Sequence, residues 1–162
     1  LDLTSNQLKT IIGLSELVKL KSIDLSFNYF EELSINNQAL EVLHMSNNDL
    51  INLDISSAVN LKNVLLASNK LNSLDISSNK KLQTLLVSDN QLQSINLSEN
   101  ISLTHVYIAS NLLTGLDVSK NQKLVELKVD RNSSLDCIKI ANGQNISSVT
   151  LSNHQALNDF CN

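Results

Sequence analysis

The residues most capable of catalysis in this chain are its histidines, His44, His105 and His154. Nucleophilic catalysis needs a nucleophile, a base and an orienting acid that converge on one point. The three histidines instead fall in separate copies of a repeated unit. His44 and His105 are three units apart, which is about 14 Å if the units stack at the spacing of β-strands. No glycine-rich phosphate loop, C-x-x-C pair or H-E-x-x-H motif is present. The sequence therefore predicts no enzyme, no catalytic residue and no cofactor.

A column of acidic and amide side chains is the best candidate for a metal site. Its members recur every 21 residues: Asp54, Asp75, Asn96 and Asp117. Stacked carboxylates repel one another unless they are solvated, hydrogen-bonded or bridged by a cation. The favoured interpretation is that each oxygen accepts a backbone N–H within its own turn, as Asp and Asn often do. A calcium ladder is the alternative, but it needs six or more oxygen ligands, and no metal ligand is predicted.

The two cysteines, Cys137 and Cys161, both lie near the end of the chain. Neither occupies an apolar position of the repeat, which disfavours inert core thiols. A disulfide that holds the C-terminal end is the favoured interpretation. It implies an oxidising, extracytoplasmic setting, so the protein is expected to be secreted or on the cell surface.

Composition excludes several classes of function. The chain of 162 residues is 42% hydrophobic but only 3% aromatic, which suggests a stack of small apolar layers. Its net charge is -4 and it has no basic run, so no nucleic acid partner is expected. No apolar stretch approaches the roughly 20 residues that span a bilayer, so no membrane insertion is expected.

An internal repeat is the strongest signal in the sequence. The same residue type recurs at intervals of 20 to 22 residues, at Asn6, Asn28, Asn48, Asn69, Asn90, Asn111 and Asn132. The next station is His154, interpreted as a substitute for Asn in the closing turn. Around each Asn the apolar positions also recur, and one unit contains Leu71, Leu74, Ile76, Leu82, Leu85 and Val87. The Asn column is expected to be structural, because a carboxamide can satisfy the backbone of a buried turn.

The repeat predicts a solenoid. Each unit contains two short pieces of period-two alternation, which indicates extended chain with one side buried. A unit of 21 residues is too short for two strands and a helix of three turns. We therefore predict an arc of about eight turns of 20–22 residues, with a parallel β-sheet on its concave face. The convex side should be extended or 3-10 chain, with little α-helix, and stability should come from stacking.

The pattern L-x-x-L-x-L-x-x-N-x-L resembles the leucine-rich-repeat family from Leu1 to about Leu151. The segments Leu53–Ser56, Leu74–Ser77 and Leu116–Ser119, and the ending around Cys137 and Cys161, are similar to those of secreted bacterial members. This resemblance implies repeats over 1–151 and a cap over 152–162 that a Cys137–Cys161 disulfide ties. Leu157 and Phe160 are expected to cover the end of the core, because an open solenoid end needs a lid. The first unit has a different spacing, and the chain starts within a repeat, so an N-terminal part or cap is expected to be missing.

The outward-facing strand residues are the expected binding surface. Leu65, Leu86 and Tyr107 form an apolar stripe, and charged residues follow at one end. An exposed apolar patch bounded by polar groups is typical of an interface. The predicted partner-binding residues are Val42, His44, Leu65, Leu86, His105, Tyr107, Glu126, Lys128, Asp130 and Arg131.

These features predict a non-catalytic binding module that acts in adhesion or host interaction. It should be a monomer that recognises a protein, or alternatively a glycan, on its concave face. A recognition arm of a larger enzyme or receptor and a purely structural spacer are the other interpretations.

Overall fold

The computed structural model describes residues 1–161, which form a coil of short strands with one 3-10 helix, Leu14–Glu16. No segment of this range is an α-helix, and none of its helices could cross a membrane. The strands are β1 Ser22–Asp24, β2 Glu32–Ser34, β3 Val42–His44, β4 Asn52–Asp54, β5 Asn63–Leu65, β6 Thr84–Leu86, β7 His105–Tyr107, β8 Leu116–Asp117, β9 Glu126–Lys128, β10 Cys137–Lys139, β11 Ser148–Thr150 and β12 Ala156–Asn158.

One parallel sheet of seven strands runs along a single flank, in the order β1-β3-β5-β6-β7-β9-β11. We call it the inner sheet. An isolated bridge between Asp2 and Asp24 extends it toward the N-terminus. The solenoid thus has about seven turns rather than the predicted eight. The difference arises because the first repeat contributes this single bridge and no strand.

Within residues 1–161, the opposite flank carries two small parallel sheets, β2–β4 and β8–β10–β12. Between them the chain is extended but forms no strand at residues 73–76 and 94–97. A β-ladder requires neighbours about 4.8 Å apart, so a ladder that is continuous on one flank and interrupted on the other indicates a curved stack. The inner sheet lies on the concave side, as predicted. The convex side, which we call the outer flank, is mainly extended.

Aliphatic side chains fill the space between the two flanks in superposed layers. Leu82, Leu85 and Val87 of one turn are fully buried, as are their counterparts in the neighbouring turns. Burying one such side chain contributes roughly 1.5–3 kcal/mol. No single turn can enclose its own aliphatic residues, so this stabilisation depends on the turns above and below.

The predicted asparagine column forms a hydrogen-bonded ladder. Asn90 is typical: its Nδ2 donates to the carbonyl oxygens of Leu66 at 3.0 Å and Val87 at 3.2 Å, and its Oδ1 accepts from the Leu71 N–H at 3.0 Å. One side chain thereby joins its own turn to the preceding one, on both sides of Asn69. The structural interpretation of the column is confirmed.

The residue before each of these asparagines has a left-handed backbone, with φ between 53° and 57°. These residues are Ser5, Phe27, Asn47, Ser68, Asp89, Ser110 and Arg131. Such φ values are uncommon outside glycine. The hydrogen bonds of the asparagine that follows hold the sharp turn in which each residue lies.

The interpretation of His154 as the last member of this ladder is wrong. His154 is exposed, whereas the next residue, Gln155, is buried. The Gln155 Nε2 donates to the carbonyl oxygens of Val129 at 3.1 Å and Asn132 at 3.3 Å. The closing turn places its amide one residue later than the repeat does, and the longer side chain of Gln reaches the same kind of acceptor.

A second amide ladder, on the outer side of the coil, was not predicted. It contains Asn37, Asn79, Asn100 and Asn121 and ends at Gln144. The Asn100 Nδ2 donates to Ile76 O at 2.9 Å and Asn79 O at 3.0 Å. Among the described residues, the buried Oδ1 atoms of Asn79, Asn100 and Asn121 have no hydrogen-bond partner, whereas those of the first ladder accept backbone N–H groups.

The C-terminal end is closed by the predicted disulfide between Cys137 and Cys161, whose Cα atoms are 5.8 Å apart. Strand β12 pairs in parallel with β10 and extends the outer flank. Leu157 packs against the core, as expected, but Phe160 is 79% exposed and does not cover it. The cap over 152–162 remains a prediction, and its last residue, Asn162, lies outside the described residues.

Each side chain of the acidic column accepts a hydrogen bond from the backbone of its own turn. The Oδ1 atoms accept N–H groups two residues further on at 2.8–3.0 Å, in the pairs Asp54–Ser56, Asp75–Ser77, Asn96–Ser98 and Asp117–Ser119. This confirms the favoured interpretation of the column. Asp117 also lies 3.4 Å from the Lys139 ammonium, which occupies the same column one turn later.

Candidate binding surface on the inner sheet

The parallel register of the inner sheet aligns the predicted binding residues in columns. Strand pairs place Asp24 beside His44, His44 beside Leu65, Leu65 beside Leu86, Leu86 beside Tyr107 and Tyr107 beside Lys128. The adjacent column contains Val42, Asn63, Thr84, His105 and Glu126. Both columns follow from the repeat period, since each strand starts one unit after the last.

The centre of the surface is apolar. Leu65, Leu86 and Tyr107 lie on three successive strands and are half-buried, while the residues between the columns, such as Leu85 and Val106, are fully buried. The alternation of a strand directs the two sets to opposite faces. These three side chains therefore face the concave space rather than the core.

Tyr107 is the centre of a polar cluster at one end of this stripe. Its hydroxyl donates to Glu126 Oε2 at 2.8 Å, and the Lys128 ammonium lies 5.1 Å from its ring centroid and 3.3 Å from Glu126 Oε1. Burial and the hydrogen bond to Glu126 raise the pKa of Tyr107. The same hydrogen bond, aided by Lys128, lowers the pKa of Glu126. The cluster fixes the tyrosine ring and keeps a carboxylate beside it at neutral pH.

His105 extends the aromatic part of the surface. Its ring stacks on that of Tyr107, with centroids 6.3 Å apart and an interplanar angle of 28°. Its Nδ1 lies 2.9 Å from Thr104 Oγ1, which in turn donates to the Gln83 carbonyl oxygen. The hydrogen bond with Thr104 therefore holds the imidazole ring in place beside the strand.

His44, at the other end of the stripe, pairs with Asp24, a residue absent from the predicted site. The His44 Nδ1 lies 3.2 Å from Asp24 Oδ2. Burial raises the pKa of Asp24, but hydrogen bonds from Ser26 and His44 outweigh this effect and leave the pKa below its usual value. The strand register places Asp24 in the His44 column, and this signal was available in the sequence.

Asp130 and Arg131 lie after the end of β9, in the turn rather than on the strand. The Arg131 Nε is 3.3 Å from Asp130 Oδ2, and the Arg131 N–H donates to Ser152 Oγ at 2.8 Å. The structure thus places these two residues at the rim of the sheet. They are beside, and not within, the cluster around Tyr107.

A row of three charged side chains borders the surface near β1, β3 and β5, and it was not predicted from the sequence. The Glu41 carboxylate accepts from Lys62 at 2.6 Å and lies 3.0 Å from the Lys21 ammonium. Hydrogen bonds from both lysines lower the pKa of Glu41 to about 2. Lys21, Glu41 and Lys62 each directly precede a strand, so the stacking that aligns the strands also brings these charges together.

The inner sheet combines an apolar centre with polar and charged groups at its two ends. The apolar stripe has a polar rim at both ends, which is the organisation of a protein interface. His44 and His105 lie on strands separated by β5 and β6 and contact different partners. No group of three or more metal-ligating side chains converges within residues 1–161.

Comparison with known proteins gives a structural likeness only. No family model matches the sequence, and no curated protein matches it. The functional domain of InlJ from Listeria monocytogenes is similar at 24% identity over 96% of this chain, with a TM-score of 0.75. A leucine-rich-repeat protein from Leptospira interrogans is similar at 22% identity over 97%, with a TM-score of 0.79. The internalin InlF from Listeria monocytogenes gives 17% identity over 91% and a TM-score of 0.64.

The chain spans 40%, 49% and 50% of the length of these three solved structures. The likeness covers 91–97% of the present chain.

Proposed function

We propose that this chain, which has the leucine-rich-repeat fold, is a non-catalytic binding module that recognises a protein on its inner sheet. The observation that carries the proposal is the row of Leu65, Leu86 and Tyr107 on three adjacent strands. Apolar side chains that face outward in register, enclosed by polar groups, are characteristic of a contact surface. The similar structures include internalins, and their shared architecture supports a binding role.

The energetic centre of the interface should be Leu86 and Tyr107. Tyrosine is enriched among residues whose truncation costs the most binding energy, and such residues cluster at the centre of an interface. The hydrogen bond to Glu126 and the cation over the ring hold Tyr107 in one orientation. A side chain that is already ordered loses less entropy when the partner binds.

The partner is proposed to be extracellular, with this chain secreted or at a cell surface. The Cys137–Cys161 disulfide supports this location because structural disulfides persist in oxidising compartments. Adhesion or host interaction is the proposed role, and the module is proposed to act as a monomer. Alkylation of the protein as isolated from its source, before reduction, should label neither cysteine. Labelling of both would contradict the location.

A photo-crosslinking amino acid at position 86 tests the binding surface. The expected result is one crosslinked partner in native surroundings, absent when the crosslinker replaces Ile101, which is exposed but outside the inner sheet. Leu86→Asp and Tyr107→Ala, with the purified partner, should each weaken binding by tenfold or more, about 1.4 kcal/mol or above. Ile101→Asp is the matched control and should bind normally.

Melting temperatures of Leu86→Asp and Tyr107→Ala should remain close to that of the parent, because both side chains face the concave space and lie outside the buried core. Normal binding by the two variants would overturn the assignment of the inner sheet. Loss of the crosslinked product after glycosidase treatment of the partner would identify a glycan, rather than a protein surface, as the ligand.

A further inference from the structure

The outer flank carries a groove near the N-terminal end that is separate from the inner sheet. It has a volume of about 1080 Å³ and lies between residues 9–12 of the first turn and the pair β2–β4. It extends across the turns to residues 73–75. Leu33 and Leu53, which are partly buried and pack against the core, line it together with residues of higher exposure.

Strand β2 presents an unpaired edge to this groove. Along a parallel strand, alternate residues direct their N–H and C=O groups to the same neighbour. The Ile35 N–H donates to Asp54 O at 2.8 Å, so the backbone N–H and C=O groups of Leu33 and Ile35 point toward β4. The backbone groups of Glu32 and Ser34 therefore point the opposite way, toward the first turn. Within residues 1–161, no backbone hydrogen bond joins residues 9–13 to β2.

The groove is strongly acidic. Four carboxylates line it, those of Glu31, Glu32, Asp54 and Asp75, against a single basic residue, Lys9. Among the ion pairs of the described chain, none includes any of these four carboxylates. Bonds from the Ser56 hydroxyl and N–H lower the pKa of Asp54, and those from Ser77 lower the pKa of Asp75. The groove thus carries a net negative charge at neutral pH.

Exposed apolar side chains accompany the charge. Ile12 is 93% exposed, Tyr29 51% and Ile51 42%, and all three line the groove. A large exposed aromatic ring and two exposed isoleucines in one concavity offer contact area that the isolated chain leaves in water. A ligand that buries them gains hydrophobic stabilisation.

We propose that this groove binds an extended, cationic segment of another polypeptide, which adds a strand to the open edge of β2. Main-chain hydrogen bonds to Glu32 and Ser34 supply the pairing, as in other cases of strand addition. Basic side chains of the segment face the four carboxylates, and its intervening apolar side chains contact Tyr29, Ile51 and Ile12. A nucleic acid would be repelled by the same charge, and a helix would leave the strand edge unpaired.

A synthetic octapeptide of alternating lysine and valine, labelled with fluorescein, is the probe. Binding is measured by anisotropy at low ionic strength, where exposed charges are least screened. Backbone amide shifts in NMR spectra should change most at residues 9–12 and 31–34. Glu31→Lys/Glu32→Lys, whose side chains make no ion pair in the described chain, should weaken binding by about tenfold or more.

Two controls separate strand addition from attraction between charges. Glu99→Lys/Asp136→Lys makes the same change in net charge away from the groove and should alter the affinity less than about twofold. A probe that is N-methylated at every residue keeps its side-chain charges but has no backbone donor toward β2, and it should not bind measurably.

Equal binding of the methylated peptide, or equal losses in the two double variants, would overturn the proposal. Absence of binding by the unmodified probe would do the same. Leu86→Asp should leave the affinity for the probe unchanged, so these results are independent of the function proposed for the inner sheet.

Discussion

The hydroxyl of Tyr107 donates a 2.8 Å hydrogen bond to Oε2 of Glu126, which lies on the neighbouring strand of the inner sheet. The two residues belong to different columns, so the bond crosses the surface diagonally. It joins the apolar stripe to its charged end. The pKa of Glu126 therefore reports whether the Tyr107 hydroxyl donates this hydrogen bond.

Tyr107→Phe should raise the pKa of Glu126 toward its ordinary value of 4.5, because the hydrogen bond from the hydroxyl is the main cause of the present lowering. The pKa is measured from the carboxyl carbon shift of Glu126 during an NMR titration. Since the folded-state pKa is lowered, the contribution of this bond to stability is present above the ordinary pKa and is lost as the pH falls. An unchanged titration in Tyr107→Phe would show that the hydrogen bond does not form in solution.

Glu41→Gln should reduce the sensitivity of the fold to acid. Lys62 and Lys21 hold the pKa of Glu41 at about 2, against 4.5 for an ordinary glutamate. A lowered pKa adds stability that is fully present above pH 4.5 and disappears as the pH falls toward 2. Urea unfolding across this window should therefore show a smaller loss of stability in the variant than in the parent. Glu99→Gln, which removes one exposed ion pair with Lys80, is the control and should follow the parent.

Asn90→Ala should destabilise the protein by roughly 2–4 kcal/mol, because it leaves several buried backbone groups without partners. Asn100→Ala should cost less, since the Asn100 side chain donates to two carbonyls but its Oδ1 accepts no bond. Asn6→Ala, at an exposed position, should cost below about 1 kcal/mol. Chemical denaturation gives all three values. The same loss at all three positions would mean that the number of hydrogen bonds to buried backbone groups does not determine the contribution of these amides to stability.

Cys137→Ser/Cys161→Ser should lower stability by up to about 3.5 kcal/mol, the value that loop closure gives for a separation of 24 residues. The loss should be concentrated at the C-terminal end, because each turn contacts only its neighbours. Hydrogen exchange should accelerate at β12 and β10 but remain slow at β5 and β6. Uniform acceleration along the coil would indicate instead that the whole arc unfolds as one cooperative unit.

The repeat period alone was sufficient to predict the architecture and much of the inner surface. Equal spacing of the strands places Leu65, Leu86 and Tyr107 side by side, and alternation directs them outward. The disulfide was equally accessible, because the only two cysteines lie together at one end. In a solenoid, position within the repeat specifies position in space, so aligned residues become neighbours.

Three features depend on the tertiary structure and could not be predicted from the repeat pattern. Gln155 replaces His154 at the end of the ladder because the length of the closing turn and the reach of a side chain differ from those of the repeat. The unpaired edge of β2 depends on how the irregular first turn diverges from the second, and the bond between Tyr107 and Glu126 depends on side-chain conformation. Periodicity predicts the position of the backbone to within about one residue along the chain and one strand spacing between turns. Whether a hydrogen bond forms depends on distances that differ by a few tenths of an ångström.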